Sequence, residues 1–130
     1  MRVRVFLMAA LICAPFPVFG QLLNQEIELN PGWNSIYLHV QPENNDPNSI
    51  FDGVPVESVW KYNRNFTTVR YFDNPADLIP DNPDWLVWFP ESSPDNGAST
   101  LHAIFGPNCF LIKLAGSQQV LWQVSGKPVP

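Results

Sequence analysis

The chain has 130 residues, 45% of them hydrophobic and only 15% charged, with a formal charge of −5. That balance excludes a disordered polyelectrolyte, and the acidity works against nucleic acid and anionic membrane surfaces as partners. Fourteen prolines exclude long helices, because each removes a backbone donor and fixes φ.

Residues 1–20, "MRVRVFLMAALICAPFPVFG", carry Arg2 and Arg4, then an apolar run from Val5 to Ala14, then Pro15 and Pro17. This is the layout of a secretory signal peptide, and Val18 and Gly20 suit cleavage before Gln21. The apolar run is shorter than the roughly 20 residues a membrane span needs, and no later segment supplies one. The expectation is export to the cell envelope or medium, with no membrane span in the mature chain. Cleavage leaves five basic residues, Lys61, Arg64, Arg70, Lys113 and Lys127, against all twelve acids, so the formal charge becomes −7. It also leaves one cysteine, Cys109, which excludes an intrachain disulfide. Within the apolar run "CFLIKL", Cys109 is expected to be a small buried hydrophobe.

The remaining 110 or so residues suit a single domain, assigned to 21–126. Ile27 and Leu29 alternate with Glu26, Glu28 and Asn30 in a strand that breaks at Pro31 and Gly32. "NSIYLHV" places Ile36, Leu38 and Val40 on one face and Ser35, Tyr37 and His39 on the other. In "DPNSIFDG", Asp46 suits a helix N-cap and Pro47 the first helical position, so a short helical turn should fold Ile50 and Phe51 onto the core. "PVESVWKYN" reads as a strand with Val56, Trp60 and Tyr62 on one face, and "NRN" as a hairpin turn into "FTTVRYF". The Asn-Pro pairs of "DNPADLIPDNPD" force a loop, after which "WLVWF" and "LHAIF" read as strands. "CFLIKL" and "QVLWQV" read as a closing hairpin, with Phe110, Ile112 and Leu114 on one face of the first strand and Val120, Trp122 and Val124 on one face of the second. The prediction is an all-β fold, a small antiparallel β-sandwich or barrel-like module of about seven short strands with long Pro/Asp/Asn loops. "GKPVP", with residues 127–130, reads as the start of a linker to downstream domains of the same polypeptide, and the hairpin before it as an open sheet edge.

Three pieces, "PGWNSIYLHVQP", "VESVWKYN" and "GPNCFLIKLAG", together resemble the Gly-Trp-Asn modules of secreted bacterial multidomain proteins. Cys109 and Phe110 stand where that pattern often has a small residue and an aromatic. The resemblance implies a β-rich, non-catalytic part of a large surface or extracellular protein, and it carries over no functional residues.

Two constellations are candidates for binding. Trp33, Tyr37, Trp60, Tyr62, Trp85 and Trp88 supply aromatic rings of the kind that stack on sugars, and of these Trp33, Tyr37, Trp85 and Trp88 are the candidate glycan-binding residues. Trp60 and Trp122 sit at alternating apolar positions and are expected in the core, and Trp85 and Trp88 cannot both face one side of a regular strand. Asp73, Asp77, Asp81 and Asp84, with amide oxygens of Asn74 and Asn82, are the candidate calcium ligands, although loop chemistry alone accounts for Asp and Asn there. His39 and His102 match no zinc spacing, and no nucleophile elbow is present. The sequence reading is therefore a structural or adhesive module without catalytic residues or cofactor, with a carbohydrate-binding module as the alternative.

Overall fold

The computed structural model of the protein describes residues 20–63 and 84–129. Among the described residues, seven strands form two antiparallel sheets packed face to face. β1 (Leu23–Leu29), β7 (Val120–Pro128) and β3 (Val40–Pro42) make a three-stranded sheet in the order β1-β7-β3. β2 (Gly32–Leu38), β6 (Asn108–Leu114), β4 (Val56–Tyr62) and β5 (Trp85–Trp88) make a four-stranded sheet in the order β2-β6-β4-β5. The all-β class and the small β-sandwich expected from the alternation are thus what the chain adopts.

The alternation also places the core. Ile36, Leu38, Phe110, Ile112 and Leu114 point inward from β2 and β6, and meet Leu29, Val40, Trp122 and Val124 from the opposing sheet. Between β3 and β4 in the chain lies a helical turn, α1 (Pro47–Ile50). Asp46 caps it by accepting from the backbone N–H of Asn48, and Pro47 occupies the first turn, as the sequence predicts. The turn delivers Phe51 into the core, where its ring stacks on Trp122 at 4.8 Å and on Trp88 at 5.4 Å between centroids. Trp122 also donates its indole N–H to the Ile50 carbonyl, so helix and sheet are joined by both dispersion and a hydrogen bond.

β1, β2, β3 and β4 alternate between the two sheets while β4 and β5 pair within one, and the first two crossings each have a specific device. Between β1 and β2, Gly32 takes φ +84°, a conformation that suits glycine. The Asn34 side chain then locks the turn: its Oδ1 accepts from the N–H of Asn30, and its amide donates to the carbonyls of Asn30 and Gly32. A longer bond of 3.4 Å ties the same amide to the Ile112 carbonyl on β6. This accounts for Gly and Asn in "PGWNS" without a ligand. Asn34→Ala removes these bonds while leaving the strand pattern intact, and should cost about 2 kcal/mol in a denaturant titration.

Between β2 and β3 the ladder breaks at His39, and the buried Gln25 of β1 fills the gap. Its amide donates to the Tyr37 carbonyl at 2.8 Å and its Oε1 accepts from the His39 N–H at 3.0 Å. Two backbone groups orphaned by the crossing are thereby satisfied.

Several expectations are corrected. "CFLIKL" and "QVLWQV" do not pair: β6 lies between β2 and β4 in one sheet, and β7 lies between β1 and β3 in the other. β7 is therefore a central strand, not an open edge, and it runs on through Lys127 and Pro128 because Gln41 and Val40 pair with them. "LHAIF" forms no strand, although Leu101 and Ile104 are buried. Instead the N–H groups of Thr100 and Leu101 both donate to the Val87 carbonyl, and Thr100 Oγ1 accepts from the Val87 N–H, so this irregular segment flanks β5. The predicted strand "FTTVRYF" and the turn at Arg64 and Asn65 lie outside the described residues.

Candidate functional site

One face of each sheet builds the core, and the two outer faces differ. On the three-stranded sheet the outer face is mostly a polar ladder, interrupted by the exposed Leu121: Gln123 donates to Glu26, Gln119 to Glu28, and Ser125 to Asn24. The four-stranded sheet carries aromatic and apolar side chains on its outer face as well. On β4 a β-bulge sets which residues face outward. The register shifts between Val56 and Ser58, so Val56 and Val59 point into the sandwich while Ser58 and Trp60 point out of it. The sequence reading put Val56 and Trp60 on one face, and the bulge separates them.

Trp60 is nonetheless buried. With Val87 and Phe89 it forms a second, smaller cluster on the outer side, against which Trp33, Trp85, Leu111 and Ala98 pack. Trp60 meets Phe89 edge to face at 6.2 Å and donates its indole N–H to Ser58 Oγ at 2.9 Å, so the ring is apolar-packed and its polar tip satisfied. The cover over this half of the sheet is the chain from Phe89 to Thr100. Ser99 Oγ accepts from the Phe89 N–H, and the Asn96 amide donates to the Phe89 carbonyl, which hold that cover down.

The β2–β6 half of the same face is more open. Its cross-strand rows are Trp33 opposite Lys113, Ser35 opposite Leu111, and Tyr37 opposite Cys109. Tyr37 is 52% exposed, Ser35 and Cys109 are exposed, and Trp33 and Leu111 are half-buried. The expectation of a buried Cys109 is thus overturned, because alternation along β6 puts it with Lys113, opposite the inward-facing Phe110 and Ile112. Lys113 Nζ lies 5.8 Å from the centroid of the Trp33 ring and 2.7 Å from Glu57 Oε1. Glu57 sits in the bulge that also reorients Ser58. Both members of this ion pair remain substantially exposed, so its contribution to stability is small.

The four aromatic site residues expected from the sequence separate accordingly. Trp33, Tyr37 and Trp85 share the outer face of the four-stranded sheet, with Trp85 meeting Tyr62 edge to face at its β5 edge. Trp88 faces the other way, 6% exposed and stacked on Phe51 in the main core, which takes it away from any exposed platform. Beside that stack a cleft of about 350 Å³ is lined by Asn48, Asp52, Glu91 and Ser92 among others. Of the calcium candidates, Asp73, Asp77 and Asp81, with Asn74 and Asn82, lie outside the described residues. Asp84 is described, and its carbonyl accepts from the N–H of Asn63 where β4 and β5 meet. His39 and His102 are both exposed, His39 at the β2–β3 break and His102 in the segment beside β5.

No helix among the described residues is long and apolar enough to cross a membrane. Sequence reasoning missed the pairing of Lys113 with Glu57, because the two lie in different strands and meet only through the bulge. No protein-family model matches the chain, and no curated protein or solved structure matches it significantly.

Proposed function

We propose that the chain is a non-catalytic structural or adhesive β-sandwich module of an exported bacterial protein, and that it makes contact through the β2–β6 half of the outer face of its four-stranded sheet. The observation that supports this is a sheet bearing apolar and aromatic side chains on both faces. An antiparallel sheet with one face in water normally alternates apolar and polar residues, as the three-stranded sheet does here. The outer face of β4 and β5 has its own cover in the Phe89–Thr100 chain, whereas Tyr37 and Cys109 next to it remain exposed. An exposed apolar patch beside a covered one marks a surface for a partner. Export rests on the signal-like residues 1–20, and the Gly-Trp-Asn resemblance agrees with a module of a larger surface protein.

Cys109 provides the test, since it is the single cysteine left after cleavage and stands in the end row of the face, opposite Tyr37. In the isolated chain it should react with a maleimide as fast as a free thiol in solution. On the surface of the producing cells, in the protein's native setting, labelling should slow at least tenfold. Equal rates in the two settings would remove this face as the contact surface.

A further inference from the structure

We infer that the β2–β6 face is a binding strip for a neutral polysaccharide, with Trp33 and Tyr37 as stacking rings and the Lys113–Glu57 pair as the hydroxyl-recognising group. The inference rests on the contact-face reading above and names its occupant. Three features of the strip choose that chemistry.

The first is the mixture of side chains. The strip sets rings among polar atoms, with Trp33 opposite Lys113, Ser35 opposite the half-buried Leu111, and Tyr37 opposite Cys109. The C–H face of a sugar ring packs on an aromatic ring while its hydroxyls need both donors and acceptors at the ring's edge. Lys113 Nζ lies over the Trp33 ring and 2.7 Å from Glu57 Oε1, and a ligand that moves it off the ring finds one donor and one acceptor at the ring's edge. Such a pair costs little to redirect to a ligand, because an exposed ion pair is worth little to the free protein.

The second is spacing. Trp33 and Tyr37 lie four residues apart on one strand, so they are separated by roughly 13 Å along one face. A flat strip of that length suits an extended chain of several sugar units rather than a single buried monosaccharide. The third is charge. After signal cleavage the chain carries −7, and the neighbouring sheet exposes Glu26 and Glu28. A second copy of this chain or an anionic polymer would be repelled, and a neutral polymer would not.

Native gels cast with a neutral β-linked glucan, a neutral galactomannan or anionic polygalacturonate decide the matter for the full exported chain. At least one neutral polymer should retard migration, and polygalacturonate should not. Tyr37→Ala and Lys113→Gln should each weaken that retardation at least tenfold while leaving the melting temperature unchanged, since neither side chain is in the core. Migration unaffected by both neutral polymers, retardation that the two variants retain, or preference for polygalacturonate would each overturn the inference. Should the gels fail while Cys109 stays shielded in the native setting, the face meets a protein and the contact reading stands. Should Cys109 be unshielded as well, both readings fall together.

Discussion

Trp122→Ala is expected to leave the chain largely unfolded at room temperature. The ring is 2% exposed, stacks on Phe51, and donates its indole N–H to the Ile50 carbonyl. Truncating a buried Trp costs about 3–5 kcal/mol through lost transfer energy and the cavity that remains. Here the Ile50 carbonyl also loses its donor, which adds to that cost. The total approaches the whole stability of a domain this size, about 5–15 kcal/mol. Because the same ring joins α1 to β7 and supports Phe51 against Trp88, the loss should propagate to both sheets. Far-UV circular dichroism against denaturant measures it. Trp122→Phe, which keeps a stacking ring and loses only the hydrogen bond and some volume, should recover most of the lost stability. A Trp122→Ala midpoint close to the parent's would show that the stack is not what holds the sheets together.

Gly126→Ala should cost about 3 kcal/mol, the upper end for overpacking, although only one methyl group is added. A Cβ at this position would collide with the Gln41 carbonyl oxygen, meet the Gln41 carbonyl carbon at 2.5 Å, and lie 2.9 Å from the Pro42 nitrogen. All three are backbone atoms and cannot rotate away, so β3 must move off β7. β3 has three residues, pairs only with β7, and carries Val40, one of the fully buried side chains. Hydrogen exchange should therefore rise first at the amides of Val40, Gln41, residue 126 and Lys127 in the variant. Gly116→Ala gives a contrast: its added Cβ meets nothing, and only the positive φ of 85° is strained.

The inward faces of β2, β6 and β7 were legible from the sequence because their apolar residues alternate strictly and alternation has one geometric solution in a half-buried strand. The helical turn was legible because capping is local: Asp46, Pro47 and Asn48 settle it among themselves. Strand pairing was not, for the converse reason. "AGSQ" between two alternating runs looks the same whether the chain folds back on itself or crosses to the other sheet. The choice falls to contacts such as Leu29 with Val120 and Gly32 with Leu114, which are distant in sequence.

The outer aromatic face was half legible. Trp85 and Trp88 were assigned opposite sides by spacing alone, and they take them. Val56, Ser58 and Trp60 read as one face because a β-bulge leaves no signature in a pattern of three apolar or small residues. Cys109 is different, since its strand partner Lys113 already marked the solvent side and the residue type was allowed to outweigh the period. In a short strand the period is the better guide to exposure.

The amide of Gln25 has a mechanical consequence. β1 and β7 are antiparallel neighbours with Leu23 opposite Gly126, so tension applied through the two ends of the described chain arrives at the same end of that ladder. Loaded this way a ladder opens like a zip, one pair at a time, and resists far less than strands pulled past each other in shear. Within that ladder the outermost pairs are Leu23 with Gly126 and Asn24 with Ser125. At the next residue the tear meets Gln25, whose two bonds reach across to β2 and to the β2–β3 break in the opposing sheet. β3 meanwhile clamps the other side of β7 at Lys127 and Pro128. Gln25 is thus a stitch set one repeat in from the seam, tying the ladder to the opposing sheet just where a tear would have to pass.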